Sequence, residues 1–251
     1  MAPPAVFKPR ARSSGGGPSE MVPFSSNNIP FWMPLEIRSI KRFEITQKHA
    51  LTPAVSSSSF MTRSEFHAHL LALDLSGRPE EEIHRRRMIE LLESVPDCFH
   101  RSSFPAHFTG SALVVSADGS RALLHHHRKL DRWIQFGGHC DGDEDVLRVA
   151  QREALEESGI EGLIVASARP FDLDIHTIPA FGAEPVHFHY DVRYVLIAPE
   201  NGTPTLSGES HELRWFTPGE MKELPLDPGL QRLRGKWQLL LERRSASAHA
   251  G

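Results

Sequence analysis

The stretch that decides the fold runs from Gly137 to Ile160 and reads GGHCDGDEDVLRVAQREALEESGI. It begins with a glycine turn and an acidic run, after which the period of the apolar residues predicts one amphipathic helix. We place the N-cap of this helix at Asp143 and its left-handed C-cap at Gly159. At about 100° per residue, three carboxylates continue the apolar stripe along the same face of the helix. These are Glu153, Glu156 and Glu157.

This carboxylate cluster is unfavourable for a helix on its own. Like charges three and four residues apart repel, and the C-terminal end of a helix is the negative end of its dipole. Partial burial of the carboxylates adds a larger desolvation penalty. A solvated face with ion pairs, such as Arg152 with Glu156 and Glu144 with Arg148, is one interpretation. A bound divalent cation explains the cluster better, because carboxylate oxygens are the ligands that Mg²⁺ and Mn²⁺ prefer.

The spacing of these residues identifies the stretch more closely. It matches the Nudix box, G-x5-E-x7-R-E-U-x-E-E-x-G-U with U apolar, at every fixed position from Gly138 to Ile160. The chain therefore resembles the Nudix hydrolases over about residues 108–244. The GGH turn and the HHHRK run before it are similar to those of a bacterial Nudix group to which the sequence assigns no substrate.

The resemblance implies an α/β fold, a Nudix-type α/β/α sandwich with a mixed β-sheet, here with an N-terminal helical cap. It also implies hydrolysis of a diphosphate bond in a nucleoside-diphosphate-linked or related small molecule. The implied cofactor is Mg²⁺ or Mn²⁺, held by the three glutamates and the carbonyl group of Gly137. Arg152 is expected to orient the glutamates, and Glu144 to brace the junction between loop and helix.

A further carboxylate is expected from a loop downstream of the box. Glu209 matches best by its spacing from the aromatic strand that follows, with Glu212 and Glu184 as alternatives. The general base is then Glu153 or Glu209. Two other functions stay open, a Nudix-fold module that binds nucleotides without cleaving them and an isomerase on the same fold. Because every box carboxylate is present, the sequence favours catalysis.

Length and composition predict one domain with an extension. The chain has 251 residues and a net charge of −4, which argues against a general nucleic-acid binder. The proline, glycine and serine content of residues 1–59 predicts a disordered extension. We expect a helical segment at residues 60–105, the Nudix domain at residues 106–246 and a tail at residues 247–251.

The remaining global features concern location and assembly. Two cysteines, Cys98 and Cys140, form no disulfide framework, which favours a reducing, cytoplasmic setting. No apolar run approaches the ~18 residues that cross a membrane. The expected partner is a small-molecule diphosphate, without nucleic acid or membrane, and a homodimer is left open.

Local patterns predict the other elements. Thr62 and Glu65 form a capping box ahead of a first helix, and Pro79 begins a second helix that ends before Pro96. From Phe108 the period of apolar residues changes to two, which predicts strands. A hairpin turn at Asp118-Gly119 is expected between the strands at 111–116 and 121–127. Further strands are expected at 163–166, 171–178 and 186–198, with a final helix at about 230–243.

The fifteen histidines of the chain suggest a second site. The run at 125–127, with His139 and Cys140, is compatible with zinc only if these side chains converge. Strand alternation places polar side chains on one face at 172–176 and 187–193, and this face could line the substrate pocket, meet solvent or bind a metal. Lys129 is a further candidate for binding phosphate. The candidate substrate-binding residues are Arg128, Asp174, His176, His187, His189 and Arg193.

Overall fold

The computed structural model describes residues 60–249. The predicted disorder of residues 1–59 falls outside this part of the chain. The described elements, in chain order, are α1 (Arg63–Leu71), α2 (Pro79–Ser94), β1 (Ala106–Val115), β2 (Ala122–His127), β3 (Arg132–Ile134), β4 (Phe136–His139), α3 (Val146–Ser158), β5 (Ile164–Val165), β6 (Asp172–Ile178), β7 (His187–Ile197), β8 (Ser210–Phe216), α4 (Pro218–Lys222) and α5 (Pro228–His249).

The strands form one mixed sheet in which β1 is central. Strand β1 pairs in parallel with β7 over its whole length, from Ala106 opposite Phe188 to Val115 opposite Ile197. On its other side, β1 pairs antiparallel with β4 in its first half and with β2 in its second half. Strands β8 and β3 extend the sheet beyond β2, and β6 and β5 pair with β7. The splitting of β1 between two partners makes the sheet curl around α3.

Apolar side chains cover both faces of this sheet, because β1 and β7 alternate between them. Phe108, Ala112 and Val114 pack with α1, α2 and α3 in one core. Leu113 and Val115 pack with α4 and α5 in the other, around Trp237. Helices on both faces of a mixed sheet confirm the predicted α/β/α sandwich. Among residues 60–249, no helix has the length and apolar character needed to cross a membrane.

The N-terminal helices pack against the sheet. The ring of Phe66 on α1 meets that of Phe108 edge to face, with centroids 5.3 Å apart. His84 on α2 contacts the carbonyl oxygen of Leu173 through Nδ1, at 2.9 Å. The capping box of Thr62 and Glu65 is present at the start of α1. Both helices therefore share a core with β1 and β6.

Several boundaries differ from the sequence prediction. Strand β1 begins at Ala106 rather than Ser111, because pairing with β7 from Ala106 onward holds residues 106–110 in extended form. The N-cap of α3 is Asp145, whose carboxylate accepts the N–H of Arg148 at 3.0 Å, and not Asp143. Asp143 instead accepts the N–H of Asp145 at 3.0 Å. The predicted C-cap, Gly159, has φ of 66° and is confirmed.

Gly110 sets the distance between β1 and α3. A Cβ at this position would lie 2.6 Å from the carbonyl oxygen of Val146 and 3.1 Å from the nitrogen of Ala150. We expect Gly110→Ala to lower the free energy of unfolding by about 1–3 kcal/mol, since helix backbone cannot rotate away as a side chain can. Urea denaturation measures this change.

The matched control is Gly235→Ala in α5, where an added Cβ meets no heavy atom within 4 Å. Alanine should stabilise this helical position by about 0.5–1 kcal/mol. Equal stabilisation by both substitutions would show that β1 and α3 do not approach as described.

Candidate active site

Glu157 is the buried member of the carboxylate cluster. Its Oε2 atom accepts a hydrogen bond from the backbone N–H of Gly137 at 2.9 Å. Burial, together with the charges of Glu153, Glu209 and Glu156, raises the pKa of Glu157 to about 8 despite the opposing effect of that hydrogen bond. Within residues 60–249, no lysine or arginine pairs with this carboxyl group in the last turn of α3.

Glu153 lies one turn earlier, directly over the glycine turn. A Cβ on Gly138 would be 2.6 Å from Glu153 Oε1, so only glycine leaves room for this carboxylate. Burial raises the pKa of Glu153, while the positive charge of Arg152 lowers it. The guanidinium of Arg152 contacts Glu153 Oε1 at 2.7 Å. It also donates to the carbonyl oxygen of His139 at 3.2 Å.

Glu156 is the exposed member, with 59% of its side chain accessible. Its Oε2 atom lies 3.7 Å from the same guanidinium nitrogen of Arg152 that contacts Glu153. Arg152 therefore bridges two of the three glutamates, as the sequence suggested.

Glu144 joins the box to the N-terminal helices. Its carboxylate accepts the backbone N–H of Arg63 at 3.3 Å and lies 3.8 Å from the guanidinium of that residue. The predicted ion pair of Glu144 with Arg148 is wrong, because Arg148 contacts Asp143 at 2.7 Å instead. The junction between loop and helix is thus fastened to the start of α1.

Glu209 and Arg128 lie on two adjoining loops. The backbone N–H of Arg128 donates to the carbonyl oxygen of Glu209 at 2.8 Å. Both side chains are exposed. The negative charge of Glu209 contributes to the raised pKa of Glu153 and of Glu157, which places this loop within electrostatic range of the box.

His125 is a neighbour of the box that sequence reasoning did not single out by itself. Its ring is buried on β2, where Nδ1 contacts Ser210 Oγ at 2.8 Å and Nε2 lies 3.8 Å from Glu157 Oε1. Burial lowers the pKa of His125 to about 4, so it supplies no positive charge to Glu157. The strand alternation of β2 could have separated this inward histidine from His126.

The donor set suits a hard divalent cation. Glu153, Glu156 and Glu157 present carboxylate oxygens from one face of α3, and Arg152 contacts two of the three. A cation would remove the mutual repulsion of these groups and restore the ionised form of Glu157.

Comparison with known proteins agrees with this local geometry. The NUDIX domain model matches residues 107–235, slightly more than half of the chain. The chain belongs to the Nudix family. The match begins at the second residue of β1 and ends within α5, so the Nudix domain includes every strand of the sheet together with α3.

Curated relatives of this Nudix protein include "Putative 8-oxo-dGTP diphosphatase 3" of Mycobacterium tuberculosis, in strains CDC 1551 / Oshkosh and ATCC 25618 / H37Rv. Each is 33% identical over 128 residues, which cover 49% of this chain and 55% of the relative. The chain thus spans about half the length of the curated relatives it matches.

Among solved structures, a NUDIX-family hydrolase from Clostridium perfringens is 25% identical and covers 53% of this chain and 97% of its own, with a TM-score of 0.40. The Nudix hydrolase RenU from M. Smegmatis is 24% identical and covers 56% of this chain and 86% of its own, with a TM-score of 0.40.

Two histidine groups suggested by the sequence do not converge. In the run at 125–127, His125 faces Phe136 while His126 faces Trp133 on the other side of the sheet. His139 and Cys140 likewise point apart, and burial in the core raises the pKa of the Cys140 thiol well above its usual range. Alternation along each strand is the reason, so neither pair forms a zinc site.

The polar face of β6 and β7 is buried, which excludes the interpretation that it simply meets solvent. Arg193 is 2% exposed and contacts three carboxylates, at 2.7 Å for Asp191, 3.0 Å for Asp174 and 3.4 Å for Asp172. These contacts leave no guanidinium face open to a phosphate. The prediction that Arg193 binds substrate is therefore wrong, because its guanidinium lies inside an ion network.

Helix α5 completes this ion network. Arg232 donates to Asp172 at 3.0 Å and to Asp174 at 2.8 Å. Lys236 contacts Asp172 at 3.2 Å. Burial would raise the pKa of Asp174, yet hydrogen bonds from His176 and Arg232 and the charge of Arg193 hold that pKa below its usual range. Asp174, like Arg193, is therefore engaged within the protein rather than open to substrate.

The other candidate residues of this face are histidines. His187 is buried, His189 is partly buried, and 41% of the side chain of His176 is exposed. These histidines lie on the sheet face opposite α3. Gly110 of β1 faces α3, whereas its neighbour Thr109 faces the other side of the sheet and donates to Asp191 at 3.0 Å. His187 and His189 share that side with Asp191, because alternate residues of β7 lie on the same face. The sheet thus separates these histidines from the box glutamates.

Proposed function

We propose that this Nudix protein is a hydrolase that cleaves a phosphoanhydride bond in a nucleoside-diphosphate-linked or related small molecule, with Mg²⁺ or Mn²⁺ as cofactor. One observation carries the proposal. Glu153, Glu156 and Glu157 lie on one face at the end of α3, where Arg152 contacts the first two and burial raises the pKa of Glu157 to about 8. A structural helix gains nothing from such an arrangement, whereas a cation-dependent site requires it.

Glu153, Glu156 and Glu157 would hold the cation, with the Gly137 carbonyl as a further ligand. When bound, the cation supplies positive charge to the diphosphate and lowers the pKa of the attacking water. Arg152 keeps Glu153 and Glu156 at fixed distances. The N–H of Gly137 orients Glu157 in the same way.

The reaction balances with one water molecule. A carboxylate of Glu153 or Glu209 accepts a proton from water as its oxygen forms a bond to phosphorus. The bond between that phosphorus and the bridging oxygen breaks, and the bridging oxygen leaves with the electron pair. Two phosphate products result. Arg128, which is exposed beside Glu209, is the available candidate for contacting the leaving phosphate.

The experiment is to incubate the full chain with a substrate panel, in Mg²⁺ and after removal of metal by chelation. The panel includes 8-oxo-dGTP, since the relatives named above carry that substrate in their names, together with nucleoside-diphosphate sugars and dinucleotides. Phosphorus NMR identifies the products. We expect cleavage of at least one panel member with Mg²⁺ and none after chelation.

Two outcomes would contradict the proposal. Full activity after exhaustive chelation would show that the reaction does not depend on a divalent cation. Binding without cleavage, with either Mg²⁺ or Mn²⁺ present, would favour the non-catalytic nucleotide-binding module, and an isomeric product without phosphate release would favour the isomerase.

A further inference from the structure

Strand register brings five histidines to one face of the sheet. His107 on β1 is the direct neighbour of His189 on β7, and His176 on β6 is the direct neighbour of the same residue on its other side. His139 on β4 lies opposite Thr109, which is two residues along β1 from His107. His187 precedes His189 by two residues and shares its face. We call this group the histidine cluster.

Three members of the histidine cluster converge. One ring nitrogen from each of His107, His187 and His189 lies within 4.8 Å of one from each of the others. Nitrogens bound to tetrahedral Zn²⁺ at about 2.0–2.1 Å are about 3.3 Å apart, so a movement of about 1 Å by each would reach that geometry. The ring centroids of His139 and His189 are 4.9 Å apart, which makes His139 available as a fourth ligand.

The hydrogen bonds of the rings select the tautomer that metal binding needs. Nδ1 of His187 contacts the carbonyl oxygen of Pro185 at 2.8 Å, and Nδ1 of His107 contacts that of Ser103 at 3.2 Å. A carbonyl accepts only, so Nδ1 of each ring carries the proton and Nε2 of the neutral ring keeps its lone pair. A backbone carbonyl on the far nitrogen is the usual support of a metal-bound histidine.

The free nitrogens lack partners. Nε2 of His107 and Nε2 of His189 are buried, and neither finds a hydrogen-bond partner among the described residues. Buried polar atoms in folded proteins are nearly always satisfied, so two buried ring nitrogens without partners call for an explanation. Burial lowers the pKa of His107, and it lowers that of His189 to about 2, which agrees with neutral rings.

We propose that His107, His187 and His189 bind a divalent transition-metal ion, with Zn²⁺ as the best match, in a site distinct from the carboxylate cluster. Imidazole nitrogens suit zinc and its neighbours, whereas the box oxygens suit Mg²⁺. The ion would tie the start of β1 to the start of β7. The fourth position falls to His139 or to water, because Asp141, Asp174 and Asp191 are each already held by an arginine.

Surrounding charges are compatible with a cation. Asp174 contacts Nδ1 of His176 at 2.9 Å, and the ring of His176 meets that of His189 edge to face, with centroids 5.4 Å apart. Besides burial, the positive charge of Arg101 acts on His107 and His139 and lowers the pKa of both. Arg101 donates to both oxygens of Asp141, at 2.6 and 2.7 Å, and this ion pair offsets part of the repulsion that Arg101 would exert on a bound cation.

The test uses the full chain, stripped of metal and then held in excess Mg²⁺ to occupy the carboxylate cluster. Zn²⁺ is titrated against a competing chromophoric chelator. We expect one equivalent to bind, with a rise in melting temperature. Loss of a group that only hydrogen-bonds to a metal ligand weakens metal binding ~10–100-fold. His187→Gln removes a ligand itself and should weaken Zn²⁺ binding by more than this. The matched control, His211→Gln, removes an exposed histidine outside the cluster and should bind Zn²⁺ as the unmodified chain does.

A second measurement needs no histidine variant, in case His187→Gln fails to fold. Co²⁺ bound by three nitrogens with four-coordinate geometry absorbs visible light far more strongly than octahedral Co²⁺ on oxygen ligands. We expect the strong spectrum in the unmodified chain and in Glu156→Gln. Three outcomes would each overturn the proposal. The first is a weak Co²⁺ spectrum only, and the second is the absence of Zn²⁺ binding in excess Mg²⁺. The third is loss of the ion in Glu156→Gln together with its retention in folded His187→Gln.

Discussion

Glu156→Gln is expected to lower turnover about 1,000-fold while the protein stays folded and still binds substrate. Loss of one cation ligand removes several kcal/mol of transition-state stabilisation, and about 4 kcal/mol corresponds to this factor. The fold has no need of this charge, because 59% of the side chain is exposed and its nearest ion pair, with Arg152, is 3.7 Å long. Steady-state kinetics on the best panel substrate and a binding titration measure the two effects separately.

The control for this prediction is Glu161→Gln. Glu161 is an exposed glutamate just beyond the C-cap of α3, so the substitution changes the net charge equally at almost the same place. We expect unchanged kinetics from it. Full turnover in Glu156→Gln would show that the box is not the active site, and loss of folding would show that the charge is structural.

Arg193→Met should have the largest effect on stability. The guanidinium is 2% exposed and contacts Asp172, Asp174 and Asp191. Among the described residues, removing it leaves Asp172 and Asp174 with Arg232 and Lys236 as their arginine and lysine partners and leaves Asp191 with none. Breaking such a buried network costs about 3–5 kcal/mol. In a chain of this size the melting temperature should fall by roughly 6–20 °C. Calorimetry or thermal denaturation monitored by circular dichroism measures it.

This measurement also decides between two roles for Arg193. If it contacted substrate, as the sequence suggested, the substitution would raise KM and leave the melting temperature nearly unchanged. Arg169→Met is the matched control, because Arg169 is exposed on the loop before β6 and its loss should change neither quantity. A small stability effect for Arg193→Met would contradict the buried network.

The box could be predicted almost completely because its geometry is local. Helix periodicity alone puts Glu153, Glu156 and Glu157 on one face, and a glycine after the last turn marks the C-cap. The error at the N-cap has a local cause too. Asp143 and Asp145 are both good capping residues. The carboxylate of Asp143 forms an ion pair with the guanidinium of Arg148 at 2.7 Å and does not cap the helix.

The other face of the sheet shows where local reasoning ends. Alternation correctly grouped Asp174, His189 and Arg193 on one side of their strands. It could not tell whether solvent, substrate or protein would cover that side. Helix α5 decided this, since Arg232 reaches Asp174 across 58 residues of sequence, at 2.8 Å.

What the sequence determined by itself is therefore the family, the order of the elements and the carboxylate cluster, because each depends on spacing within one helix or strand. What only the tertiary structure decided is which strands are neighbours. The parallel register of β1 with β7 sets His107 beside His189, although 82 residues separate them in the chain. No local period encodes that register, which arises when the apolar faces of both strands are buried between α3 and α5.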